Sequence, residues 1–421
     1  MHQSQPPRRY EIVVRGHLGP TLLEAFPALA AELQGANTLL HGSLADQCAL
    51  FGVLCEIDEL GLELLEVRGA GDHGRAESHH PCEDVSSSAT GASRSPAPPP
   101  SRKEIAMQAL VLNDLDNGPV LQDVPIPEPG AGQVRLRVKA AALNRLDTLI
   151  SGGMLQGSAE YLFPVVLGRD AAGVVDAVGD GVEHVRVGDA VIAHVLMDGK
   201  LRHGTLAEYA VVSADAVVAK PASMDFAAAA CVPLAGAAAL AAVDAVDAGL
   251  GSTVLIVGAT GGVGSYAIQL AVARGATVIA TGLPEDADRL RGLGAAEVVD
   301  YRDDVAGQVR ATHPDGIDGL IELVSFDADS VAALAATVRD GGWVASSLGA
   351  ADPDKLGARG ITATNIVSSP VRETLATLIA EIERGAVRVD VKETLPFDQA
   401  TEGLDKLANG HARGKLVVTL D

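Results

Sequence analysis

Aromatic side chains are scarce in this chain: six Phe, five Tyr and one Trp in 421 residues. That leaves few platforms on which nucleic-acid bases could stack. Positive charge is short as well, with 32 Lys and Arg against 55 Asp and Glu and a formal net charge of −23. Such a surface repels polyanions, so no nucleic-acid partner is expected. Cysteine is limited to Cys48, Cys55, Cys82 and Cys231. They form no CxxC pair and no His/Cys cluster, which argues against a disulfide framework or a structural zinc and for reduced thiols. No apolar run reaches membrane-spanning length, so no membrane partner is expected. The N-terminal Met1–Arg9 stretch lacks an apolar signal core, which makes the cytoplasm the expected location. Abundant Ala and Gly with little Lys fit a high-GC bacterial coding bias.

Core material is plentiful. Hydrophobic residues make up 48% of the chain, and the length suggests two or three domains. Residues Arg9 to Arg68 alternate runs that read as a small β-α-β-α-β module: strands at Tyr10–Arg15, Asn37–His41 and Leu62–Val67, helices at Thr21–Leu33 and Asp46–Leu60. From Gly69 to Glu104 the one large aliphatic residue is Val85. Too little apolar surface exists there to offset ordering entropy, so residues 69–106 are expected to be a disordered linker. From Met107 onward the pattern is β-rich. Between Val232 and about Gly349 strands alternate with helices, the mark of a doubly wound parallel sheet. The Ala-rich stretch Phe226–Val243 reads as buried helix interrupted by Pro233.

The most informative segment is Thr253-Val-Leu-Ile-Val-Gly258-Ala-Thr-Gly261-Gly-Val-Gly264 and the helical pattern after it. A buried strand ends in glycines and re-emerges as a helix, whose N-terminal amides and dipole suit a dinucleotide pyrophosphate. Ala259 stands in place of the usual first glycine, so Ala259, Thr260, Gly261, Gly262, Val263 and Gly264 form the candidate cofactor loop. Gly261 lets the backbone approach the phosphates, and Gly264 lets helix and strand pack closely. The second strand, Ala276–Thr281, ends in Thr281, Gly282 and Leu283 rather than an acid. Small neutral groups there leave room for a 2′-phosphate, so NADP(H) is the expected cofactor. Arg289 and Arg302 are candidates to neutralise it.

Further motifs follow in a specific order: Val124-Pro-Ile-Pro-Glu-Pro-Gly130, Ala140-Ala-Ala-Leu-Asn144-Arg-Leu-Asp147, Leu167-Gly-Arg-Asp-Ala-Ala-Gly173, Gly204–Tyr209, Pro233-Leu-Ala-Gly236, Gly341-Gly-Trp-Val344 and Gly414-Lys-Leu-Val-Val418. With them, residues 107–421 resemble the medium-chain dehydrogenase/reductase superfamily, in its zinc-free quinone oxidoreductase (ζ-crystallin-like) branch. The resemblance implies an α/β fold in which residues 107–230, completed by 368–421, form a GroES-like β-rich catalytic domain. Residues 231–367 would form a Rossmann NADP(H)-binding domain. Residues 1–68 lie outside the resemblance, as a small module of unknown role for which a protein partner is the expectation. The resemblance further implies that Asn144 lines the nicotinamide pocket and Leu348-Gly349 passes close to the nicotinamide. Tyr301 would lie near the adenosine phosphate, and Arg413 and Lys415 would meet the cofactor phosphates. A homodimer is the expected assembly.

Zinc-dependent relatives carry a Cys near Asn144 and Gly-His-Glu where this chain has Gly168-Arg169-Asp170. Those ligands are missing, so no metal is expected. Leu149, Ala237 and Ala238 replace polar residues found in many quinone reductases and make the pocket more apolar. No tyrosine has a lysine four residues on, which excludes the short-chain reductase pattern, and His194 and His203 read first as structural. The expected reaction is hydride transfer from NADPH to a quinone or related conjugated carbonyl. An enoyl or alkenal double-bond reductase and a non-catalytic NADP(H)-binding redox sensor are the alternatives.

Overall fold

The computed structural model describes residues 8–19, 26, 29–44, 53, 64–69, 106–410 and 412–420. The chain divides into two compact units, Met1–Lys103 and Glu104–Asp421. Within the described residues the first unit is a four-stranded antiparallel sheet, in the order Ala30–Gln34, Asn37–Leu44, Arg8–Arg15, Leu64–Gly69. Alternation places Ile12 and Val14 inside, and Ile12 faces Leu40 across the ladder. One expectation fails here: the end of the Thr21–Leu33 helix is a strand. Ala30-Ala-Glu-Leu favours helix by composition, yet Gly35, at φ +61°, turns the chain into a hairpin with Asn37–Leu44. Every side chain of that edge strand is exposed, so burial did not select its conformation. The Asp46–Leu60 helix lies, apart from Val53, outside the described residues, as does the linker apart from its ends.

In the second unit a seven-stranded sheet runs in the order Val217–Ala219, Ala190–His194, Asp170–Val178, Gln133–Leu143, Lys415–Thr419, Val391–Pro396, with Tyr209–Ser213 also paired to Gln133–Leu143. A smaller sheet joins Val120–Pro125, Ala106–Leu112 and Val165–Val166. The run Ala140–Leu143 is buried throughout, because its small side chains are covered on both faces. The chain's last described strand pairs antiparallel with this central one, Leu416 opposite Leu143. This is the GroES-like domain closed by the C-terminal segment.

The other half is a six-stranded parallel sheet: Glu297–Val299, Thr277–Thr281, Thr253–Val257, Ile317–Glu322, Val338–Ser346, Thr362–Asn365. In chain order that reads 3-2-1-4-5-6, the Rossmann arrangement. Its central strands Thr253–Val257 and Thr277–Thr281 are near-continuous apolar runs, as strands of a parallel sheet covered on both faces are. The Ala-rich stretch forms two helices, Phe226–Ala230 and Pro233–Ala245, parted where Pro233 starts the second. Order reverses between Thr253–Val257 and Ile317–Glu322, which is where such sheets open a ligand crevice.

Candidate functional site

The glycine loop lies at that crevice. Gly258 has φ +79°, a conformation that favours glycine. A Cβ on Gly264 would come within 2.7 Å of the backbone of Gly258 and Ala259, so the helix Gly262–Ala273 can lie against the loop only through a glycine there. A Cβ on Gly261, by contrast, would meet only the Gly258 carbonyl, at 3.3 Å. The space over Gly261 is open. Gly261 caps the helix and provides no side-chain acceptor, so the first-turn amides are left to an outside anion. Gly258, Gly261, Gly262, Val263 and Gly264 therefore form a cradle that a pyrophosphate fits.

Thr281 supports this cradle from behind. It is buried, and its Oγ1 accepts from the Gly258 N–H at 3.1 Å. Gly282 packs against Leu290, where a Cβ would come within 2.4 Å. Arg289 is not free for a phosphate: it pairs with Asp390 and donates to the Thr260 carbonyl at 3.2 Å, bracing the loop. Arg302 is exposed and held by Asp300 at 2.7 Å. Past the strand tip, Arg413 reaches Asp286 at 3.1 Å and Glu285 at 3.4 Å. The acids that follow Pro284 are thus already matched by a cation. Tyr301 is half exposed.

Lys415 runs past the glycine loop into the interior. Its stem crosses Gly262, and its ammonium is buried, donating to the Leu143 carbonyl at 3.1 Å and Asn144 Oδ1 at 2.6 Å. Asn144 Nδ2 in turn donates to Asp170 at 3.0 Å. Asp170 is fully buried and also accepts from the Leu234 N–H at 3.2 Å, with His194 Nδ1 2.6 Å away. One carboxylate thus joins four chain segments and fixes the Asn144 amide, with every partner hydrogen-bonded. Sequence reasoning used Asp170 only to argue against zinc and gave it no role in the site, and it treated His194 as a lone histidine. Leu348 and Gly349 form a turn at the end of Val338–Ser346, where Ser346 Oγ accepts from the Leu348 and Ala350 amides at 3.2 Å.

Three further buried groups were also missed. Glu322 ends a central strand, and burial pushes its carboxyl up to about 7, against the Ser325 and Val324 amides that favour the charged form. Those amides form a turn whose Leu323 and Val324 lie against Gly258. Asp147 accepts from the Asn144 N–H at 2.8 Å through Oδ2, while its buried Oδ1 has no partner. Burial pushes this carboxyl up to about 6. Arg169 is buried too, with Nε unpartnered. The signal in the sequence was simply charge inside apolar runs, at Asp170 and Glu322 most plainly. Cys231, buried below this network, has its thiol pushed up to about 12 by burial and stays a thiol.

A GroES-like domain joined to a Rossmann sheet with an open phosphate cradle defines a nucleotide-dependent oxidoreductase architecture. The alcohol dehydrogenase GroES-like domain family matches residues 130–222, and the zinc-binding dehydrogenase family matches 293–418. A domain of unknown function matches residues 9–68. The chain is 34% identical, over 74% of its length and 79% of the relative's, to an NADPH-dependent alkenal/one oxidoreductase from the chloroplast of Arabidopsis thaliana. Among solved structures it resembles the quinone oxidoreductase of Coxiella burnetii, with TM-score 0.68, 27% identity, and coverage of 75% of this chain and 100% of that one. A mycobacterial protein complexed with NADPH gives TM-score 0.65, 28% identity and the same coverage. The chain belongs to the medium-chain dehydrogenase/reductase superfamily, in its quinone oxidoreductase-like branch.

Proposed function

We propose that this chain is an NADPH-dependent oxidoreductase that reduces a quinone or another conjugated carbonyl, alkenals included, without zinc. The observation that carries it is the open cradle over Gly261 at the sheet's switch point. NADPH, when bound, supplies the hydride. Gly261 to Gly264 hold its pyrophosphate, with Ala259 and Thr260 forming the loop. Past the tip at Thr281 and Gly282, Arg413 and Arg302 face its 2′-phosphate and Tyr301 its adenosine end. Asn144, held by Lys415 and Asp170, lines the nicotinamide pocket with Leu348 and Gly349. The amide so fixed cannot swing, which keeps ring and acceptor in one geometry. Ala237 and Ala238 are buried in the neighbouring helix, so that wall offers an acceptor no hydroxyl.

The zinc-free reading rests on chemistry in the domain: among the described residues no group of three or more His, Cys, Asp and Glu could hold a metal ion. No described helix is long and apolar enough to cross a membrane, and the cytoplasm is the proposed location. A homodimer is the proposed assembly, to be read by light scattering. The deciding experiment follows NADPH oxidation with quinones, alkenals and enoyl thioesters, with NADH in parallel. Turnover of a quinone or alkenal supports the reading. NADPH binding without oxidation by any acceptor would instead favour the redox sensor.

A further inference from the structure

A hollow of about 430 Å³ lies where three helices of the second unit end. They are Gly262–Ala273, Ala287–Gly292 and Arg372–Glu383, and residues of their last turns or just beyond line it. Arg291, Arg384 and Arg388 stand around it with their side chains exposed, so solutes reach it freely. Val272, Leu293 and Ala386 supply apolar wall between them, and among the described residues no Asp or Glu lines it. In a chain of net charge −23, the local sign is reversed here.

A helix C-terminus attracts cations, but that accounts for little of this cluster. Of the three guanidiniums only Arg388 donates to a helix-end carbonyl, that of Gly292 at 3.2 Å. Arg384 is held by Glu381, with Nε donating at 2.6 Å. Arg291 and Arg388 pair with no carboxylate among the described residues. A guanidinium carries five N–H donors, so most of the donors around the hollow are committed to no protein group. Planar forks of this kind match anions that present oxygens in pairs.

The wall of the hollow is tied to the cofactor loop. Gln269 lines the hollow and is buried, and its Oε1 accepts from the Arg388 N–H at 2.9 Å. Its Nε2 donates to the Arg388 carbonyl at 3.0 Å and to the Ser265 carbonyl at 2.8 Å. The Arg388 backbone is therefore pinned to the helix whose first turn belongs to the phosphate cradle. Two residues on, Asp390 pairs with Arg289, which donates to the Thr260 carbonyl at 3.2 Å. Whatever fixes Arg388 fixes two supports of the glycine loop.

We propose that this hollow binds a small oxyanion, a phosphate ester or a compact polycarboxylate, through Arg291 and Arg388, and that its occupancy strengthens NADPH binding. The oxyanion holds the segment from Arg388 to Asp390, and the loop braced by that segment then loses less freedom when the cofactor enters. By linkage, NADPH strengthens oxyanion binding by the same factor. This second half rests on the NADPH reading above, and the first stands without it.

The test titrates the intact, NADPH-saturated protein with inorganic phosphate or citrate by calorimetry at constant ionic strength. With the cradle filled by cofactor, the remaining site is the hollow. A Kd of about 1 mM or lower is expected, the affinity that two charged hydrogen bonds supply. Arg291→Gln and Arg388→Gln should each weaken binding about tenfold or more. Glu381→Gln releases Arg384 and should tighten it. A preference for phosphate assigns the phosphate ester, and a preference for citrate the polycarboxylate. The better ion, at saturation, should lower the Kd for NADPH about fivefold in the wild type and leave it unchanged in Arg291→Gln. No heat from either ion, or equal binding by wild type and Arg291→Gln, would overturn the site. An ion that binds the hollow without changing NADPH affinity would overturn the coupling. If NADPH itself does not bind, the functional reading falls, and the same titrations on unliganded wild type and Arg291→Gln still decide the site.

Discussion

Replacing Asp147 by Asn should stabilise the protein at pH 8 and do almost nothing near pH 4. Asn is the same shape. Its carbonyl oxygen can accept from the Asn144 N–H as Oδ2 does, and its amide group falls where Oδ1 has no partner. Burial is the largest influence on Asp147, and it pushes the carboxyl from 3.8 up to about 6. The Asn144 amide, Arg169 and Lys415 pull the other way, and Asp170 adds to the rise. The folded value lies above the unfolded one, so the protonated form favours folding. That contribution is complete below about pH 4 and is lost as pH climbs through about 6. At about 1.4 kcal/mol per unit, the wild type at pH 8 forgoes roughly 3 kcal/mol that the neutral isostere keeps. Thermal unfolding at both pH values reads the difference, as roughly 5 °C at pH 8 and none near pH 4. An equal shift at both pH values, or a less stable Asn variant at pH 8, would show that Asp147 does not carry a raised pKa.

Gly261→Val should abolish NADPH binding with Tm unchanged, since its Cβ meets only one carbonyl and otherwise fills the pyrophosphate space; fluorescence titration with NADPH checks it. Arg413→Ala should lower the ratio of NADPH to NADH efficiency by about tenfold or more, the size of one charged hydrogen bond, and expose Asp286 and Glu285 to the cofactor. Lys415→Met should leave the Leu143 carbonyl and Asn144 Oδ1 without their donor, costing about 1–3 kcal/mol and lowering kcat more than NADPH affinity. A chain lacking residues 1–103 should fold and turn over as the intact one does, because every strand of both large sheets falls in Glu104–Asp421; a gel-filtration profile and an NADPH oxidation assay decide.

Sequence reasoning reached what depends on neighbours along the chain. The strand–glycine–helix unit at Thr253–Ala273 has a local pattern, and so does the sheet that surrounds it. What stayed hidden depends on direction and distance. Arg289 stood near the strand tip with Glu285, Asp286 and Asp288 as its sequence neighbours, yet the acid that claims it is Asp390, 101 residues on. Thr281 stood at the right strand tip but points back into the loop. Asp170 gathers residues 26, 24 and 64 positions away, a relation no window can contain. The hairpin at Gly35 overrode a helix-favouring composition by a turn whose partner strand lies beyond it.

The bond from Lys415 to Asn144 spans 271 residues. During synthesis, Asn144 emerges long before the residue that orients it, and at about 5–20 residues per second the wait is tens of seconds. Most of that interval goes into making the nucleotide sheet, whose last strand ends at Asn365; from there to Lys415 the sheet is complete in sequence while the central strand Gln133–Leu143 still lacks its neighbour Lys415–Thr419. On the proposed roles of the loop and of Asn144, cofactor capture and competence for hydride transfer would be separated in time. A nascent chain that has not yet reached Lys415 would then hold NADPH without an ordered place to spend its hydride, and the strand Lys415–Thr419 would act as the tooth of a lock that releases the chemistry.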